Sequence, residues 1–253
     1  MCNRNYMIIR SIFVLLLGAV GCEKAEESEG NSGTIDFLVA CSQATAGTEY
    51  GATIAAIKSN FEGETCEELK NAILASESIS FPNQNIINIS MFAEFTHLTS
   101  INFSGNAIYD IRALGAMKKL TLLNLGSNII GDISYIAELT ELETLQLDDN
   151  GITETQTLLA MSKLQYLDLS SNTKLGDISV VSTMPELTFL NIKNTSIENV
   201  LAVRDLEKLV NFDFSDTPLT SGQVTKTEDN CPNDTAKSQI VKTRCTNAVV
   251  TTQ

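Results

Sequence analysis

A 22-residue period runs through the middle of the chain. Aligned copies begin at Ser76, Leu98, Leu120, Leu142, Leu164, Leu187 and Leu209, with spacings of 22, 22, 22, 22, 23 and 22. A fixed period of this length makes each copy one supersecondary unit that buries its apolar face only against its neighbours. Six offsets in each copy (0, 3, 5, 10, 13 and 16 from its first residue, allowing one inserted residue after Asn172) are expected to point inward. Of those 42 positions 38 are apolar, where a composition of 43% hydrophobic residues would supply about 18. Ser76, Thr155, Gly222 and Thr225 are the exceptions. Apolar residues at offsets 3 and 5 flank an outward one, the alternation of a strand. Each copy therefore predicts one short strand followed by a turn.

The stretches LTSINFSGN from Leu98, LTLLNLGSN from Leu120, LETLQLDDN from Leu142 and LQYLDLSSN from Leu164 resemble the LxxLxLxxN core of the leucine-rich repeat family. Within it they are similar to the 22-residue class found in internalins. The resemblance covers residues 76 to about 220. It implies an α/β leucine-rich repeat solenoid, a curved parallel sheet of about seven repeats. Asn106, Asn128, Asn150 and Asn172 form a column at offset 8, where an inward amide would satisfy backbone groups that the turn leaves unpaired. Gln84, Thr195 and Thr217 replace Asn in the outer copies, which predicts looser turns there.

A solenoid with open ends would expose apolar faces and unpaired strand edges, so caps are expected. Residues 34–75 form the N-terminal cap and 221–253 the C-terminal cap and tail. Within 48–75 the sequence predicts two helices, over 52–61 and 65–74, the second opened by a capping box of Thr65 and Glu68. A short helical stretch is expected inside 231–245, and 246–253 is expected to fray. Four cysteines lie in these caps and allow three pairings. Cys41–Cys66 and Cys231–Cys245 are expected because each clip stays within one cap. Each closed loop contributes ~3 kcal/mol in the chain-entropy model.

The first 21 residues read as an address. Arg4 and Arg10 precede the apolar run SIFVLLLGAV at 11–20, an export signal too short to span a bilayer. The junction Ala19-Val20-Gly21-Cys22 resembles the lipobox of bacterial lipoproteins, which implies cleavage after Gly21 and acylation of Cys22. Ala19 departs from the usual Leu, and an ordinary signal peptidase also accepts Ala-x-Gly. Acylation of Cys22 would leave four cysteines, an even number suited to an oxidising compartment. Residues 23–33, EKAEESEGNSG, form a flexible acidic tether of ~37 Å when taut. Glu23 is not the Asp of an inner-membrane retention signal, so the expected location is the cell envelope, lipid-anchored at the bacterial outer membrane.

Charge and composition narrow the function. The chain carries 17 Lys plus Arg against 31 Asp plus Glu, a net charge of −14. That balance repels nucleic acid and anionic headgroups. A single histidine disfavours His-based metal cages and general-base chemistry, and no cofactor is expected. Recognition is then sought on the outward strand positions. Leu122, Tyr166 and Phe189 at offset 2 predict an exposed apolar and aromatic stripe. Beside it lie Asn102, Asn124, Gln146, Asp168, Asn191 and Asp213 at offset 4, with Asp148 and Lys193 at offset 6. Aromatic anchors ringed by polar groups are what an interface needs. The expected partner is a neutral or basic protein, peptide or glycan, and the chain is expected to be a monomer and not an enzyme.

Other motifs carry less. Asp148-Asp149-Asn150-Gly151 lacks calcium-loop spacing. Asp148 and Asp168 are expected ~8 Å apart, a separation an inverting glycosidase could use, yet an open sheet is expected to lack the apolar pocket that raises one pKa. His97 reads as a surface residue at a repeat boundary. A structural envelope protein without a ligand is the alternative reading, and a weak glycoside hydrolase a remote one.

Overall fold

The computed structural model describes residues 35–223, 225–227, 229–232 and 236–246. The export signal, Cys22, the tether through residue 33 and the tail 247–253 lie outside the described residues.

The periodic apolar positions build one parallel sheet of seven three-residue strands in chain order: β1 (Ser78–Ser80), β2 (Ser100–Asn102), β3 (Leu122–Asn124), β4 (Thr144–Gln146), β5 (Tyr166–Asp168), β6 (Phe189–Asn191) and β7 (Asn211–Asp213). Pairing runs without slip, aligning Ile79, Ile101, Leu123, Leu145, Leu167, Leu190 and Phe212 in one buried row. A one-residue slip would turn that row into solvent, so burial itself sets the register. All 38 apolar positions are buried, none more than 3% exposed. Thr155 is buried as well and donates its hydroxyl to the Asp177 carbonyl at 3.1 Å. A seventh inward column adds to the six expected: Phe95, Met117, Leu139, Met161, Met184 and Leu206 are each at most 2% exposed.

The turn after each strand has a common form. The residue just before the offset-8 column adopts positive φ in every copy: Asn83, Gly105, Ser127, Asp149, Ser171, Asn194 and Asp216, with φ between 50° and 68°. Asn and Asp tolerate this region better than other side chains. The following Asn then reaches inward. Nδ2 of Asn128 donates to the carbonyls of Phe103, Leu125 and Gly126 at 3.0, 2.9 and 3.2 Å, and Oδ1 accepts from the Ile108 amide at 3.0 Å. Of the bonds that Asn makes, Thr195 and Thr217 keep the one to the carbonyl three residues back, at 2.7 and 2.8 Å. The outer turns keep the shape of the inner ones but are held by fewer bonds.

The return path from the strands is made of short 3₁₀ helices, from Ser90–Glu94 to Leu201–Val203. Most are opened by an Asx side chain. Asn88, Asp110, Asp132, Asp177 and Asn199 each accept from the amide two residues on, at 2.8 to 3.0 Å. Part of the acidity is therefore structural.

The N-terminal cap has three helices rather than two: α1 (Phe37–Gln43), α2 (Gly51–Asn60) and α3 (Cys66–Leu74). The additional one, α1, starts where Asp36 accepts from the amides of Leu38 and Val39 and buries Phe37, Ala40 and Cys41. The Thr65–Glu68 capping box opens α3, and its two backbone amide donors hold the Glu68 carboxyl below its ordinary range. Cys41 is bonded to Cys66, and Phe37 packs edge-on against Phe95 at 5.5 Å. His97 corrects its reading as a surface residue. It is half-buried, with Nε2 at 3.2 Å from the Ile73 carbonyl and 2.9 Å from that of Ser76, because the first repeat begins directly beneath the end of α3. At the other end, α4 (Pro218–Ser221) follows β7, α5 (Gln239–Thr246) packs against that strand, and Cys231 is bonded to Cys245.

Candidate functional site

The outward residues of the strands form three registered rows. Ser78, Ser100, Leu122, Thr144, Tyr166, Phe189 and Asn211 make the first, and Ser80, Asn102, Asn124, Gln146, Asp168, Asn191 and Asp213 the second. Asp148 and Lys193 lie two residues beyond their strands in the third.

In the first row the stripe is broken. Thr144 stands between Leu122 and Tyr166, so Leu122 is separated from the aromatic pair. Tyr166 and Phe189 stack with centroids 4.0 Å apart and planes 4° from parallel. All three are half-buried, because each is partly covered by its neighbours.

The second row is more committed internally than its exposure in sequence implied. Oδ1 of Asn102, Asn124, Asn191 and Asp213 accepts from the amide two residues on, at 3.0, 3.0, 3.1 and 2.9 Å. Such side chain to backbone bonds close the strand ends locally. Asp168, expected at an outward position, is the most enclosed residue of this row. It is only 8% exposed; Oδ1 accepts from the Ser170 amide and hydroxyl at 2.9 and 2.6 Å, and Oδ2 from Asn191 Nδ2 at 3.0 Å. Gln146 cannot close the same short ring and turns instead to the Tyr166 hydroxyl.

Asp148 differs from its neighbours. Its half-buried carboxylate lies back over Gly126, where an added Cβ would come within 2.3 Å of Oδ1. Burial pushes the Asp148 carboxyl above its ordinary range, and the charge of Asp168 pushes it further. An open sheet was not expected to raise a carboxyl. Glycine at offset 6 supplies the missing shelter. Burial likewise raises the Tyr166 hydroxyl, with Asp168 and Asp148 adding to it. Lys193 is exposed and paired with Asp216 at 3.5 Å.

Both oxygens of Asp168 are engaged by donors from Ser170 and Asn191. Clefts of about 420 and 390 Å³ are lined by residues of the C-terminal cap and outer loops, among them Val210, Lys237, Asp177 and Arg204, and not by this face. Among the described residues no group of three or more His, Cys, Asp or Glu is placed to hold a metal ion, and no helix is long and apolar enough to cross a membrane.

Comparison with known proteins bears on the whole sheet. A family profile described as Leucine Rich repeats (2 copies) matches residues 140–183. Among solved structures, an internalin from Listeria monocytogenes superposes with a TM-score of 0.62 at 25% identity, over 67% of this chain and 52% of that one. The fold is a leucine-rich repeat solenoid. Internalin C2 of the same species gives a TM-score of 0.55 at 21% identity, covering 70% of this chain and 86% of its own. A leucine-rich repeat protein of Leptospira interrogans gives 0.55 at 21% identity, over 59% of this chain and 39% of that one. The chain thus spans about half the length of the first internalin, 52%. A search of curated protein sequences returned no match. In this leucine-rich repeat solenoid the rows around Tyr166 lie on the concave side that the parallel strands line.

Proposed function

We propose that the chain is a non-enzymatic recognition module that binds a protein partner through its concave sheet, held at a bacterial outer membrane by a lipid on Cys22 and the tether 23–33. One observation carries the binding reading. A stacked aromatic pair, Tyr166 on Phe189, stands mid-sheet near the Asp148 carboxylate, to which no side chain among the described residues donates, the combination of anchor and polar rim found at interface hot spots. Leucine-rich repeat folds commonly mediate protein recognition, which supports a protein over a glycan.

Size limits the contact. Seven strands ~4.8 Å apart give a face ~29 Å long, and with strands ~15 Å wide it offers ~450 Å², short of the ~800 Å² per partner of a standard interface. The partner therefore extends past the strand ends, where Lys193 and Asp216 project.

Crosslinking and pull-down from intact cells tests the reading. Wild type retains a partner that the Tyr166→Ala, Phe189→Ala double variant loses; equal retention by both favours the alternative of an envelope scaffold, in which the rings serve only to cover each other. Incorporation of labelled palmitate tests the anchor. Cys22→Ser should abolish the label and release the protein from membranes, and a Cys22→Ser chain that stays membrane-bound sinks that part of the proposal.

A further inference from the structure

The register of the concave face defines a slot. Leu122, Thr144 and Tyr166 are Cα partners on three successive strands, so a short side chain lies between two long ones. With strands ~4.8 Å apart the walls rise from backbones ~10 Å apart, room for one flat group between them. Phe189 covers one face of the Tyr166 ring, and the other face is turned toward Thr144. Beyond Gln146 the slot ends at Asp148.

Charge selects the occupant. The Asp148 carboxylate is drawn back over Gly126, and the donor that reaches it is its own backbone amide. Asp168, next to it, is already satisfied by Ser170 and Asn191. The base of this face, Lys193, is turned to Asp216. The slot therefore ends at a half-buried carboxylate that its own amide reaches, near an aromatic face, with no cation supplied by the rows around it. A planar guanidinium answers both features, since it stacks on aromatic rings and donates in a fork to carboxylates.

On the reading that this sheet is the binding face, we propose that the slot between Leu122 and Tyr166 receives an arginine side chain of the protein partner, stacked on Tyr166 and paired with Asp148. A glycine at position 126 is then part of the specificity, because it lets the carboxylate lie where the fork meets it.

The test uses the full chain and two probes, an acetylated Gly-Arg-Gly amide and its neutral citrulline analogue of the same shape, titrated by NMR at physiological salt. The arginine peptide should bind at least about tenfold more tightly than the citrulline peptide, as close charge pairs at interfaces do. Asp148→Asn should remove that preference, while Glu154→Gln, which deletes a charge outside the sheet, should leave it intact and so separate local pairing from bulk acidity. Equal affinities for the two peptides, absence of saturable binding of the arginine peptide, or an unchanged preference in Asp148→Asn overturns the inference. If Tyr166→Ala weakens both peptides while Asp148→Asn leaves their ratio unchanged, the arginine assignment fails and the concave face survives as a binding surface.

Discussion

The Tyr166 and Phe189 rings lie 4.0 Å apart and 4° from parallel on adjacent strands of the concave sheet. Each covers a face of the other, so the pair contributes to the fold as well as presenting its edges outward. Aromatic pairs are worth ~0.5–1.5 kcal/mol beyond area burial. Tyr166→Ala should therefore lower the unfolding free energy by about 1–2 kcal/mol in urea titration, the half-buried ring adding part of its transfer energy. No measurable loss would mean that the stack is not formed in solution.

The asparagine column makes a sharper prediction. Asn172 is fully buried; Nδ2 donates to the carbonyls of Leu147 and Leu169 at 3.0 and 2.9 Å, and Oδ1 accepts from the Ile152 amide at 3.0 Å. Asn172→Ala should cost about 2–4 kcal/mol, because several buried backbone groups are left unsatisfied at ~1–3 kcal/mol each. Asn172→Thr should cost less, since Thr195 and Thr217 show that a hydroxyl at this offset still reaches the carbonyl three residues back. Equilibrium unfolding of the two variants side by side checks the order.

Ser127 holds φ at 53°, a region that costs an ordinary side chain ~1–2 kcal/mol. Glycine there would lose ~0.5–1 kcal/mol in unfolded-state entropy. Ser127→Gly should accordingly stabilise the protein by about 0.5–1 kcal/mol, measured as a rise in the denaturation midpoint. The exposed hydroxyl gives glycine nothing else to forfeit.

Much of this architecture was legible because one period repeats: strands, register and six inward columns all follow from where Leu and Ile recur. The seventh column, Phe95 to Leu206, escaped because it follows an irregular 3₁₀ segment, where no strand alternation marks which residue turns in. The helix Phe37–Gln43 escaped for a local reason, since FLVACSQ is short and has no polar face to set its period. The Asx bonds of Asn102, Asn124 and Asp213 were illegible in principle, because an amide two residues from its donor reads alike whether bonded or free. The bonds that hold Asp168 come from Asn191, 23 residues away, and from Ser170 within its own repeat. The shelter over Asp148 depends on the absent side chain of Gly126, one repeat earlier.

Asp148 also has a pH signature. Its carboxyl is raised above the ordinary 3.8, first by burial and then by Asp168. Ionisation is therefore harder in the folded chain than in the unfolded one, so the charge destabilises the fold above the raised value. Below 3.8 both states hold the proton and the penalty disappears. Asp148→Asn should raise the melting temperature at neutral pH and give no such gain below pH 3.8. A stability gain of the same size at both pH values would refute burial of this charge.

The most direct test of the account is the affinity of the captured partner for wild type, for Tyr166→Ala with Phe189→Ala, and for Tyr135→Ala, an exposed aromatic outside the sheet. The concave-face account predicts at least a tenfold loss for the double variant, as hot-spot truncations give, and no change for Tyr135→Ala, with all three proteins folded by circular dichroism. Undiminished affinity in the folded double variant would contradict it.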